Sequence, residues 1–127
     1  MFKTLVMLIT LSLSACASGP RVPVADLDKL SSQQKAAVNN IEIMNQTQLQ
    51  GKRFKVSGVA EGHSCQWHSS QLPATRSAAI EQLKYYAQKM SGDAISNIEC
   101  APKEGTSLAT NCWELISCTA EVISFER

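Results

Sequence analysis

Five cysteines and two histidines are the residues of this 127-residue chain with the widest choice of chemistry. The run His63-Ser64-Cys65-Gln66-Trp67-His68 places two imidazoles close to a thiol, a set that could ligate a metal or carry a reactive sulfur. Cys100, Cys112 and Cys118 complete the set in the body of the chain, and no Cys-x-x-Cys occurs among them. Neither a zinc site nor a dithiol redox centre therefore has its recurrent ligand spacing. The histidines read as solvated loop residues, and Trp67 and Trp113 as packing beside the cysteines rather than stacking on a ligand. No metal or other cofactor is expected.

Cys16 has a different setting. It follows the apolar run Leu5 to Leu13 behind Lys3, and the sequence Leu13-Ser14-Ala15-Cys16 resembles a bacterial lipobox. In that motif small residues admit a peptidase, the bond before the cysteine is cut, and the thiol carries diacylglycerol. The run is about nine residues long, against roughly 20 for a permanent membrane span, so residues 1–15 read as a signal peptide with Cys16 as the lipidation site. Acyl chains at about 0.8 kcal/mol per methylene would hold the chain to a membrane. Ala17 and Ser18 follow, with no aspartate to retain the product at the inner membrane. Sorting to the outer membrane, with a periplasmic domain, is expected.

An exported chain meets an oxidising compartment, where Cys65, Cys100, Cys112 and Cys118 form two disulfides by default, with three connectivities open. Twelve basic against eleven acidic residues give a net charge of +1. Loss of Lys3 with the signal peptide leaves the two signs equal in number. A nucleic-acid partner would need a clear basic excess. The length allows one domain.

Residues 16–39 read as the lipidated N-terminus and a tether. Gly19, Pro20 and Pro23 open the segment; a short helix over residues 24–38 is the alternative, but Leu27, Leu30 and Val38 do not hold a continuous helical stripe. Fully extended, residues 17–39 would reach roughly 80 Å at about 3.5 Å each. The folded domain is expected over 40–127. Ile41-Glu42-Ile43-Met44 alternates like a strand, and Phe54, Val56, Gly58 and Ala60 share a face of a second strand ending at Gly62. Ile80, Leu83, Ala87 and Met90 recur at helical spacing between Pro73, suited to a first turn, and Gly92, suited to the left-handed position after the last. Two further strands follow, about 94–100 and 113–125, on either side of a turn at 102–106.

Strand parity narrows the disulfides. Cys112 and Cys118 lie roughly 20 Å apart if their segment is extended at about 3.3 Å per residue, too far to bond. Setting Cys100 opposite Cys118 in an antiparallel hairpin keeps both apolar faces on one side and matches Ile98 with Ala120. Cys65 is then left to Cys112. The expected fold class is α+β: a small, mainly antiparallel sheet of about four strands, one packed helix and two disulfides.

The chain resembles the RcsF lipoproteins, outer-membrane sensors that feed the Rcs envelope-stress phosphorelay of enteric and related bacteria. The residues that carry the resemblance are the lipobox, Leu49-Gln50-Gly51-Lys52-Arg53-Phe54 leading to Gly58, and Gly62-His63-Ser64-Cys65-Gln66. Pro73, Thr75, Arg76, Lys89-Met90, Cys100, Gly105-Thr106, Cys112 and Cys118 extend it over 40–125. It implies the same two non-consecutive disulfides and signalling by protein contact. The implied partners are an inner-membrane Rcs regulator and outer-membrane barrel proteins, with no small-molecule substrate. The family's enteric tether is long, basic and proline-rich, whereas 17–39 here holds two prolines and three basic residues, Arg21, Lys29 and Lys35. A non-enzymatic role by contact is expected; the competing readings are a signalling lipoprotein, a structural or interaction lipoprotein with the same domain, and an enzyme or metal-handling protein using His63, Cys65 and His68.

Overall fold

A computed structural model describes residues 22–103 and 111–127. The signal peptide, the lipidation site Cys16 and the start of the tether lie outside the described residues, as does most of the turn expected at 102–106.

Where it is described, the expected tether is folded. After a single 3-10 turn at Leu27–Lys29, helix α1 runs over Ser32–Asn39. Ser31 starts it with a capping box: its hydroxyl accepts from the Gln34 N–H at 3.2 Å, and the Gln34 side chain accepts from the Ser31 N–H at 2.9 Å. The reciprocal cap supplies a helix start that the weak apolar periodicity does not show. Val38 is buried, and α1 packs on a later helix, α3, over Arg76–Lys89. Folded structure thus begins upstream of residue 40.

The sheet has four strands in the order β1-β3-β4-β2, formed by Glu42–Ile43, Phe54–Gln66, Ala94–Lys103 and Glu114–Phe125 in chain order. β4 pairs antiparallel with both β2 and β3, while β1 pairs parallel with β3 through Glu42 opposite Ala94 and Ile43 opposite Ile95. β1 is shorter than its alternation predicts. Ile41 and Met44 are the buried residues there and Ile43 is exposed, because the chain leaves the sheet after two pairs and turns into the short helix α2, Gln46–Leu49.

Each face of the sheet has its own apolar cluster. On one, Ala60, Ile95, Cys118, Ala120 and Val122 meet Ile41 and the α3 residues Ala79, Ile80, Leu83 and Ala87. On the other, Met44, Leu49, Ala94 and Ile123 pack with Phe54 and Phe125. A bulge at Ser57 connects the two, since Val56 pairs with Ile123 and Gly58 with Val122. The extra residue reverses the parity of β2, so Phe54 and Ala60 end on opposite faces and Val56 is left 49% exposed. The expectation that Phe54, Val56, Gly58 and Ala60 share a face fails for that reason.

A second bulge lies in β3. Ser96 pairs with Glu121 and Glu99 with Thr119, so Asn97 and Ile98 stand together opposite Ala120 instead of the one-to-one match of Ile98 expected from parity. Asn97 takes a positive φ of 53°, which its short polar side chain tolerates. Its amide donates to Glu121 Oε2 at 2.9 Å and its carbonyl accepts from Gln46 at 3.3 Å, fastening α2 to the bulge.

Helix α3 begins later than the proline implies, at the N-cap Thr75, whose hydroxyl accepts from the Ala78 N–H. It ends in a Schellman motif: the Gly92 N–H donates to the Ala87 carbonyl and the Ser91 N–H to the Gln88 carbonyl. Ser91, not Gly92, holds the left-handed position, with φ at 59°. Gly92 is needed for room, because a β-carbon there would overlap Val122.

Candidate functional site

Both disulfides form with the expected pairing. Cys100 and Cys118 are direct cross-strand partners in β3 and β4, with α-carbons 4.0 Å apart. Cys65 and Cys112 join the end of β2 to a position two residues before β4, with α-carbons 5.5 Å apart. The two bonds interleave along the chain. On the chain-entropy model, loops of 47 and 18 residues correspond to about 4 and about 3 kcal/mol of stabilisation.

The stretch around Cys65 is not a loop, as its composition implies, but strand as far as Gln66. Beyond it Gln66 donates to the carbonyl of Gln71 at 2.8 Å, and the Gln71 side chain accepts from the Trp67 N–H at 3.0 Å. These bonds hold the 67–71 turn. Trp67, His68, Gln71 and Asn111 line a cavity of about 360 Å³ beside the Cys65–Cys112 bond. Trp113 is 59% exposed, so it is not a core residue.

His63 differs most from its expected place. It is 6% exposed, directly opposite Ser117, with Nδ1 2.7 Å from the Ser117 hydroxyl and Nε2 3.3 Å from Glu61 Oε1. Continuing the period of β2 past Gly62 would have placed it on the sheet. Serine, histidine and glutamate in sequence of contact are the parts of a nucleophilic relay. Ser117 is itself buried, however, and is not among the described residues that line the cavity at Trp67. The cluster serves as a satisfied polar contact between β2 and β4.

His63, Cys65 and His68 are not brought together as ligands. Cys65 is consumed in a disulfide, His63 is turned to Ser117 and Glu61, and His68 is exposed in the following turn. Among the described residues no group of three or more His, Cys, Asp or Glu side chains could hold a metal ion. No protein-family model matches the chain, and no curated protein matches it.

Sequence reasoning also misses Gln82. It is 5% exposed on α3, and both ends of its carboxamide bond the backbone of Ala25. No periodicity marks such a residue, because a buried glutamine interrupts an apolar stripe without announcing its partner. The contact joins the N-terminal segment to the disulfide-bonded domain.

Proposed function

We propose that this chain is an RcsF-like outer-membrane lipoprotein, anchored through lipid on Cys16, that senses envelope stress and signals by protein contact to the Rcs phosphorelay. The observation that carries the reading is the interleaved pairing Cys65–Cys112 and Cys100–Cys118 within a small α+β sheet. It is the pairing the resemblance implies. The lipobox before Cys16 and the absence of aspartate at position 17 support the location.

Signalling by contact makes position the regulated variable. A lipid anchor at the outer membrane keeps the domain from an inner-membrane regulator, and failed sorting or export releases it to that partner. No enzymatic step is required of the chain.

A second reading is a structural lipoprotein with the same domain and no signalling role. The folding of residues 27–39 onto the domain favours it, because this leaves less chain to cross the periplasm than a free tether would.

Two variants of the full chain separate the readings in a host with an intact Rcs cascade. Cys16→Ala behind a cleavable signal peptide releases the protein into the periplasm, and Ala17→Asp retains the lipoprotein at the inner membrane. Both should switch on a capsule or envelope-stress reporter. If both are folded, abundant in the periplasm or inner membrane and silent, the structural reading prevails.

A further inference from the structure

A primary amide presents a donor and an acceptor side by side, as a peptide group does at a strand edge. Gln82 uses both on one residue. The Ala25 N–H donates to Gln82 Oε1 at 2.9 Å, and Gln82 Nε2 donates to the Ala25 carbonyl at 2.8 Å. The two groups lie 57 residues apart in the chain, so the bonds are tertiary and not a product of local geometry.

Little else holds this part of the chain down. The 3-10 turn at Leu27–Lys29 buries no residue, and the Asp26–Lys29 ion pair at 3.6 Å is solvent-exposed. Within α1, Val38 at the far end is the buried residue. Between the segment and α3 lies a cavity of about 260 Å³, walled in part by Leu27, Leu30, Lys35, Val38 and Glu81, so the apolar side chains there are incompletely packed. A contact with few buried apolar groups and a small number of tertiary hydrogen bonds is the kind that opens ahead of the fold.

We infer that Gln82 is the catch of a stowed tether, holding residues 22–31 on α3 through Ala25 and releasing them without unfolding the sheet. Its effect on reach rests on the lipoprotein reading above, whereas the docking itself does not. With the catch closed, the chain between Cys16 and Ala25 spans at most roughly 32 Å at about 3.5 Å per residue. With the segment free as far as Ser31, the same limit rises to roughly 52 Å. Release therefore adds roughly 20 Å to the distance at which an anchored domain can meet a partner, while α1 and the disulfide-bonded domain stay folded.

The test is limited trypsin digestion of the full-length lipidated protein, comparing cleavage after Lys29 in the segment with cleavage after Lys84 in α3. Gln82→Ala removes both bonds from the helix side. Ala25→Pro removes one donor from the segment side without altering the core, and so guards against a variant that fails to fold. Each should speed cleavage at Lys29, Gln82→Ala by about tenfold or more and Ala25→Pro by less, with the Lys84 site and the urea midpoint unchanged. Unchanged cleavage at Lys29 in both variants overturns the proposal, as does acceleration at Lys29 and Lys84 together. Failure of the lipoprotein reading would appear separately, as wild-type protein that carries no acyl chains and leaves the membrane fraction.

Discussion

A β-carbon on Gly62 would overlap the carbonyl oxygen of Ala79 and stand 2.7 Å from the Leu83 nitrogen, so α3 crosses β2 with backbone against backbone. Gly62→Ala should therefore cost about 1–3 kcal/mol or more, since neither neighbour is a flexible tip. Gly58→Ala meets only the terminal methyl of Met90 at 2.5 Å, and Met90 is exposed enough to swing aside. Urea unfolding should rank the two variants in that order. Equal costs would mean that the close crossing is absent.

Peptide mapping of unreduced protein should recover Cys65 joined to Cys112 and Cys100 joined to Cys118. Replacing either pair with alanine should lower stability by about 2–5 kcal/mol. A peptide joining Cys112 to Cys118 would refute the β3–β4 register.

His63 and Ser117 should be energetically coupled through the 2.7 Å contact between them. A double-mutant cycle with His63→Leu and Ser117→Ala should give about 1 kcal/mol of interaction energy, typical of a buried side-chain hydrogen bond. Additive single effects would show that burial of each residue matters and their contact does not.

Tyr86 has its pKa raised above the ordinary phenol value of 10.0, first by burial and then by the neighbouring Tyr85, with Lys89 opposing. Its neutral form is thus favoured in the folded state. The resulting stability is fully present below pH 10.0 and is lost as pH rises through the folded pKa. Tyr86→Phe should flatten the alkaline fall in stability measured by denaturant titration. An alkaline limb identical to wild type would assign the effect elsewhere.

The α3 stripe and the Cys100–Cys118 pairing are legible in the sequence because both depend on regular periods that survive into the fold. The two faces of β2 are not, because one bulged residue at Ser57 reverses every later side chain. The burial of His63 is hidden by its polar neighbours, although Cys65 two residues on already implies an ordered strand end. α1 is missed by periodicity, although Ser31 and Gln34 carry the residue types of a capping box that marks its start. The Gln82–Ala25 contact has no local signature at all, since its partners meet only after the sheet and α3 are in place.

The position of β4 sets a condition on how the protein can be made. It follows every other described strand in the chain yet lies between β2 and β3, so neither of those has its principal partner until residues 114–125 arrive. A chain that emerges from its N-terminal end must wait, with β2 and β3 lacking the strand between them, until nearly the whole sequence has appeared. Delay at that stage exposes unpaired strands to other molecules. Assembly of the sheet is consequently a late event, and a chain cut short before β4 retains no central strand around which to form it.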